Sequence, residues 1–282
     1  MNRAMKKILF PTDFSEVSKN AFVYALKLAE NIDAEIITLH VYELPVVNNT
    51  DGFPSYLVEI YDVVEWSQFE SYKGQIPLLR DIAEANNLGH IKLSHELLMG
   101  DLVGNIKEIS KKEHIDYVVL GTKGASGLKE TFLGSTASDV LSNTDAIVLA
   151  IPEKSHYSQI KNIAFTSRFR EKDRAALLKL LKLANGFAAK VHCLYVKTPS
   201  SDLKEVVLAD WQLLFKNENI DFHIVENENV EETILHFTET ENIDLLAMLH
   251  YKRSFLEGLF HFSLTKKIVH HVQIPILALH EN

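Results

Sequence analysis

Three glycines and two hydroxyl side chains have the spacing of a phosphate-binding loop. They stand in the order Gly121, Gly124, Gly134, Ser135 and Thr136. An apolar, strand-like run precedes the first glycine, and a segment that can be helical follows the last one. Glycines let backbone N–H groups approach an anion closely, and the open N–H groups of a helix start favour its charge. The pattern predicts phosphate binding, and the alternative is that these glycines serve only turns and helix packing.

The first predicted strand runs into Pro11, Thr12 and Asp13. In an open parallel sheet, ligands bind beyond the carboxyl ends of the strands, where the strand order reverses. If the first and fourth strands are neighbours, Asp13 faces the glycine loop and can accept hydrogen bonds from ribose hydroxyls or an adenine amine. Its position equally allows Asp13 to cap the first helix or to form a turn. Val41, which closes the second strand, is either apolar cover for a base or a plain core valine.

Other site patterns are absent from the sequence. It contains no Gly-x4-Gly-Lys-[Ser/Thr] stretch and no Gly-x-Gly-x-x-Gly after the first strand, which disfavours a Walker-type loop and a standard dinucleotide fold. No His-x3-His or Cys-x2-Cys pair occurs, so no metal site is expected, although histidines are frequent over 250–280. The aromatic segment 251–262 either fills a pocket or forms a partner surface.

Composition sets the class of protein. The chain has 282 residues, 46% of them hydrophobic and 24% charged, which predicts a soluble globular protein of about two domains. A net charge of −9 argues against nonspecific nucleic-acid binding, and no apolar run is long enough for a membrane helix. The single cysteine, Cys193, cannot form an internal disulfide. We therefore expect a cytoplasmic protein without nucleic-acid or membrane partners.

The second half of the chain repeats the first. Residues 7–10 align with 162–165 at a shift of 155, and residues 115–118 align with 243–246 at a shift of 128. The repeat predicts a nucleotide-binding domain over 1–152 and a second domain over 160–282, joined by a polar linker. Each half alternates short β-branched runs with helical periodicity, which indicates an α/β fold with a parallel sheet between helices.

The alternation gives approximate element bounds. Strands are predicted near 6–11, 35–42, 91–98, 116–121, 146–151, 161–166, 190–196, 221–226, 244–249 and 274–279. Helices are predicted near 15–32, 57–88, 102–114, 135–143, 171–187, 202–218, 230–242 and 263–271. Asp101 and its counterpart Asn229 have the position and type of helix N-caps.

These residues together resemble the universal stress protein family. The resemblance rests on Pro11-Thr12-Asp13-Phe14-Ser15, on Leu39-His40-Val41 and on the glycine loop, which matches the Gly-x2-Gly-x9-Gly-[Ser/Thr] pattern of ATP-binding members. It implies two tandem domains, each a five-stranded open sheet of order 3-2-1-4-5. It also implies ATP, with ADP or AMP as alternatives and Mg as a companion ion, bound between the first and fourth strands. By matching position, Asp13 and Val41 would hold adenosine, Pro11 and Leu120 would line the pocket, and Gly121, Gly124, Gly134, Ser135 and Thr136 would hold phosphates.

The second half departs from the family pattern. Arg168 stands at the position of Asp13, and the first two loop glycines become Leu249 and Lys252. Side chains at these positions obstruct a close backbone approach to phosphate. We expect one nucleotide site per chain, in the N-terminal half, with the second half as a structural partner.

The resemblance also carries expectations about assembly and activity. Members commonly pair through their last strands, a pairing that the two halves of this chain can make internally; homodimerisation and an unidentified protein partner are further expectations. The expected role is a stress response through nucleotide-dependent conformation or partner binding. A slow ATP hydrolase and a ligand-free interaction protein are the alternatives.

Overall fold

The computed structural model describes residues 5–43, 56–122, 135–250 and 273–280. In α2 and α4 the side chains of residues 56–62, 135, 136 and 138 are outside the description. Gly124, Gly134, the aromatic segment 251–262 and the helix predicted near 263–271 also lie outside the described residues. None of the helices in the described part of the chain is both long and apolar enough to cross a membrane.

Strands and helices alternate along the described chain as the sequence predicts. The first half contains β1 (Lys6–Pro11), α1 (Glu16–Ile32), β2 (Ala34–Tyr42), α2 (Tyr56–Ala85), β3 (Leu93–Met99), α3 (Leu102–Lys112), β4 (Tyr117–Gly121), α4 (Ser135–Asn143) and β5 (Ile147–Ile151). The second half contains β6 (Asn162–Thr166), α5 (Glu171–Phe187), β7 (Lys190–Lys197), α6 (Glu205–Leu214), β8 (Ile220–Glu226), α7 (Val230–Thr240), β9 (Leu245–His250) and β10 (Ile276–His280). The bounds of α6 are narrower than the predicted 202–218.

Helix starts follow the capping residues. The Asp101 carboxylate accepts a hydrogen bond from the Gly104 N–H at 2.7 Å, and the Asn229 side-chain oxygen accepts one from the Glu232 N–H at 3.2 Å. Both bonds satisfy N–H groups that a helix start leaves open. The N-cap predictions for α3 and α7 are therefore confirmed.

The strands of the described residues form one ten-stranded sheet, in the order β3-β2-β1-β4-β5-β10-β9-β6-β7-β8. Each half has the predicted order 3-2-1-4-5 with parallel pairing. The two five-stranded units join into one sheet, because β5 and β10 pair antiparallel, with Leu149 opposite Leu277, which is the internal pairing of last strands that the resemblance implies. Both strands are almost entirely buried, so their backbone groups need partners that water cannot supply.

Helices cover both faces of this sheet, so the protein has three layers. One buried cluster packs α1, α2, α5 and α6 on the first face, and the other packs α3, α4 and α7 on the second. Each cluster includes residues from both halves, and the two halves therefore share their core. The linker is tied to α1, since Asn20 donates to the Ser155 carbonyl at 2.5 Å and the hydroxyls of Tyr24 and Ser155 lie 2.9 Å apart.

Candidate functional site

A crevice opens where β1 and β4 part. The paired residues of β1 and β4 are Ile8 with Tyr117 and Leu9 with Val118, so pairing stops two residues before β1 ends at Pro11. On its other side β1 stays paired with β2 as far as Pro11. The Thr12 N–H then donates to the Leu39 carbonyl at 2.8 Å, which turns the chain further toward β2.

The strand β4 diverges in the opposite direction. It pairs with β5 through its last residue, Gly121, and the Thr122 N–H donates to the Ile151 carbonyl of β5 at 2.9 Å. The segments that follow β1 and β4 thus turn toward different neighbouring strands at the point where the strand order reverses. This is the position at which open α/β sheets bind ligands.

The loop after β1 holds Asp13 in a defined turn. One carboxylate oxygen, Oδ1, accepts hydrogen bonds from the Ser15 N–H at 3.0 Å and from the Ser15 hydroxyl at 2.7 Å. Ser15 itself caps α1, because its hydroxyl accepts from the Ser18 N–H at 3.2 Å. Of the structural alternatives for Asp13, the turn is therefore the one observed. An ionised carboxylate has about four acceptor sites, so this turn leaves capacity for ligand hydroxyls.

Buried polar contacts support the same loop from below. Phe14 adopts a left-handed backbone conformation with φ of 59°, and its N–H donates to the Thr12 hydroxyl oxygen at 3.0 Å. That hydroxyl lies 2.8 Å from the Ser18 hydroxyl. Asp13 itself is exposed. The carboxylate therefore stands at the surface on a loop whose base is fixed.

The remaining sequence-predicted residues lie at or beside the strand ends. Pro11 and Leu120 are buried, and Gly121 ends β4 half-buried. Val41 is half-buried in β2 and packs with the second-face cluster, so it is at least a core valine. Ser135 is the first residue of α4 and Thr136 the second, which places the open N–H groups of a helix start directly after the glycine loop.

Two aromatic side chains that the sequence reasoning missed brace this region. The His40 ring nitrogen Nδ1 lies 2.7 Å from the Thr12 carbonyl oxygen, and it therefore donates its proton to the loop. The His40 ring stacks on Tyr72 of α2 with centroids 5.7 Å apart, and Phe14 contacts both rings. A histidine at the carboxyl end of a strand next to the crevice was the available signal for His40. The sequence gave no such signal for Tyr72, because it does not show which residues of α2 face the sheet.

A second polar contact holds β2 to β3 below these rings. The Thr38 hydroxyl lies 2.7 Å from His95 Nδ1 and 3.5 Å from the Tyr72 hydroxyl. Burial lowers the pKa of His95, with a smaller effect from the charge of Arg80. Neutral His95 can therefore serve as a structural hydrogen-bond partner near neutral pH.

The equivalent strands of the second half stay paired further. The strand β6 stays paired with β9 through its last residue, Thr166, opposite Met248. The buried carboxylate of Asp173, which is 1% exposed, stands at the position of Ser18. Its Oδ2 accepts from the Ser167 hydroxyl at 3.2 Å, the Arg168 N–H at 2.7 Å and the Arg170 N–H at 3.1 Å. These donors of the loop after β6 are thus engaged by the protein's own carboxylate.

Comparison with known proteins identifies a family and a fold. A family model described as the universal stress protein family matches residues 5–152 and again 160–280. Universal stress protein MJ0531 of Methanocaldococcus jannaschii is 33% identical over 147 residues, which cover 52% of this chain and 81% of that protein. Universal stress protein MJ0577 of the same organism is 26% identical over 163 residues, covering 55% and 99%. The crystal structure of a universal stress protein from Archaeoglobus fulgidus has the same fold, with a TM-score of 0.73 over 97% of this chain and 96% of that one at 20% identity.

Proposed function

The chain belongs to the universal stress protein family, and we propose that its N-terminal half binds an adenine nucleotide, ATP in the first place, in the crevice between β1 and β4. The observation that carries the proposal is the early end of β1–β4 pairing at Leu9 and Val118. The same pairing in the second half continues to the end of β6. The opening therefore coincides with the half that carries the glycine loop.

The crevice offers groups of the right chemistry for each part of the ligand. Asp13 would accept hydrogen bonds from the ribose hydroxyls, while Val41 would cover the base. Pro11 has no backbone N–H to leave unpaired at the floor, and Leu120 beside it is 5% exposed. This combination of apolar floor and exposed carboxylate suits a nucleoside.

The phosphates belong to the other side of the crevice. Gly121, Gly124 and Gly134 would admit close backbone contact, and Ser135 and Thr136 begin α4, whose N-terminal N–H groups favour anions. A magnesium ion accompanying the phosphates would take oxygen ligands mainly from them and from water. We assign one nucleotide to each chain, since Leu249 and Lys252 stand in the second half where the first has the glycines that would admit phosphate.

The role that follows is ligand-dependent signalling in the cytoplasm rather than fast catalysis. Phosphoryl transfer needs a positioned base or water-orienting group and a cationic clamp on the phosphates. The site residues named above offer only Asp13 and hydroxyl groups for these roles, and none of them is a cation. Bound nucleotide would instead contact the glycine loop and the start of α4, and so alter the surface presented to a partner or a second chain.

The proposal is tested by thermal unfolding of the full chain with and without Mg-ATP. A ligand that binds only the folded state stabilises it by RT ln(1 + [L]/Kd), about 2.7 kcal/mol at a hundredfold excess over Kd. We expect this shift in the parent protein and its loss in Asp13→Ala and Gly134→Asp. Arg168→Ala, at the counterpart of Asp13 in the second half, is the matched control and should keep the full shift.

Three results would contradict the proposal in different ways. No shift at millimolar ATP, in protein shown by mass analysis to carry no nucleotide from its host, would favour a ligand-free interaction protein. A shift lost in Arg168→Ala but kept in Asp13→Ala would move the site to the second half. Steady ATP turnover abolished by Gly134→Asp would favour the hydrolase.

A further inference from the structure

Two histidines and an aspartate meet at the far edge of the sheet. His192 lies on β7, and Asp221 and His223 lie on the edge strand β8, where His192 is in register with Asp221. Since side chains two residues apart on a strand share a face, Asp221 and His223 project on the same side. One ligand atom from each of the three side chains lies within 4.8 Å of the other two.

The two imidazoles have the separation that a shared cation requires. Nδ1 of His192 and Nε2 of His223 are 3.2 Å apart. Two nitrogens bound to one tetrahedral zinc ion at about 2.0–2.1 Å are separated by roughly 3.3–3.4 Å. The same distance is that of a hydrogen bond between the two rings, so a metal ion bound to both nitrogens would replace the proton that they share.

The protonation of His192 is fixed by a neighbour. Its Nε2 lies 3.3 Å from the side-chain oxygen of Asn162, which can only accept a hydrogen bond. The proton therefore resides on Nε2, and Nδ1 presents its lone pair toward His223. Metal-binding histidines commonly donate their second N–H to an oxygen in this way, which sets the tautomer and the ring orientation.

The two histidine rings contact an apolar side chain on one side and lie close to solvent on the other. Phe237 of α7 contacts His192 and His223 edge-on, with centroids 6.3 and 5.0 Å away. His192 is 6% exposed, whereas Asp221 is at the surface. A cation held by the rings would be shielded by the helix and would keep a coordination position open to water.

Asp221 has a competing partner. Nζ of Lys190 lies 2.5 Å from Oδ2 of Asp221. A cation at the imidazoles would attract this carboxylate and would repel the ammonium group. Binding would therefore exchange one ion pair for another at the sheet edge.

We propose that His192, Asp221 and His223 form a binding site for a divalent transition-metal ion, with zinc as the cation that fits best. Two imidazoles and one carboxylate favour zinc and its neighbours over magnesium or calcium, which prefer oxygen ligands. The site is separate from the nucleotide crevice. Six strand spacings of about 4.8 Å, or roughly 30 Å, lie between them along the sheet.

The test is calorimetric titration of tag-free, chelator-treated full-length protein with zinc chloride, followed by absorption spectra with cobalt(II). We expect one equivalent bound at this site and a tetrahedral cobalt spectrum. His223→Gln should lower the affinity at least a hundredfold. His236→Gln is the matched control, because His236 is an exposed histidine on α7 in the same half and lies outside the cluster.

A second variant keeps the test decisive if His223→Gln folds poorly. Lys190→Met removes the competing ammonium group, so it should strengthen zinc binding several-fold. A purely structural histidine pair would give no such gain. The proposal is overturned if the parent binds no zinc, if binding survives His223→Gln unchanged, or if Lys190→Met leaves the affinity as it was.

Discussion

Replacing Asp173 with alanine should lower the free energy of unfolding by more than the volume of the lost side chain suggests. The carboxylate is 1% exposed, and its Oδ2 accepts hydrogen bonds from the Ser167 hydroxyl and from the N–H groups of Arg168 and Arg170. A bond to a charged group contributes about 1.5–3 kcal/mol, and bonds that share one acceptor are not additive. Alanine would also leave these donors, one buried and two partly buried, without that acceptor. We expect a loss of about 3–4 kcal/mol in the free energy of unfolding.

Urea denaturation followed by circular dichroism measures this loss as a lower midpoint at unchanged slope. The matched control is Ser18→Ala at the equivalent position of the first half. The Ser18→Ala substitution removes one uncharged hydrogen bond, between the hydroxyls of Ser18 and Thr12 at 2.8 Å, which contributes about 1 kcal/mol. Asp173→Asn keeps an oxygen acceptor without the charge. Its loss of unfolding free energy should lie between those of Asp173→Ala and Ser18→Ala. If Asp173→Ala lowered the free energy of unfolding no more than Ser18→Ala, the Asp173 carboxylate would not be what stabilises the loop after β6.

Two further predictions concern pH and the contact between the halves. Burial raises the pKa of Tyr117 to about 12, so above pH 10 the unfolded chain loses this proton while the folded one keeps it, and stability falls as pH rises. Between pH 9 and pH 11 the loss should be roughly 1 kcal/mol, and Tyr117→Phe should reduce the fall in alkaline urea titrations; an unchanged slope would contradict the assignment. At Gly186 of α5, an added Cβ would lie 2.5 Å from Oδ1 of Asn31 on α1. Gly186→Ala should therefore lower the melting temperature, whereas Gly186→Ala with Asn31→Ala should recover it, since the clash is removed and alanine favours the helix by about 1 kcal/mol. Equal melting temperatures for the single and double variants would refute this contact.

Local patterns predicted the elements well because their signals are local. The periodicity of α1 gave a helix near 15–32, and the structure begins it at Glu16 because Ser15 is the cap. The β-branched runs placed β1 at the observed residues. The merging of the sheets depends on the pairing of Leu149 with Leu277, which are far apart in the sequence. We expected the last strands of the two halves to pair. We counted five strands in each sheet, whereas this pairing joins both sets into one continuous sheet.

The candidate site was predictable where it follows from chain order and hidden where it depends on contacts across strands. Asp13 and Gly121 were predicted to lie at strand ends, and the structure places them there. The sequence did not show that His40 and Tyr72 pack at the loop after β1, or that Asp173 accepts hydrogen bonds from the loop after β6. These contacts become visible only in three dimensions. The expectation of no metal site rested on spacing within one helix or loop. His192 and His223 meet only because β7 and β8 are adjacent, and that adjacency leaves no short motif.

The antiparallel junction of β5 and β10 makes this chain a dimer encoded in one polypeptide. A two-fold dimer of identical chains must carry identical crevices, because any substitution appears twice. Here the partners are covalently joined, so their encounter does not depend on protein concentration and neither can exchange for a copy of the other. Selection can therefore act on each crevice separately. One half could keep the early end of its β1–β4 pairing while the other acquired Asp173, which a symmetric homodimer could not do.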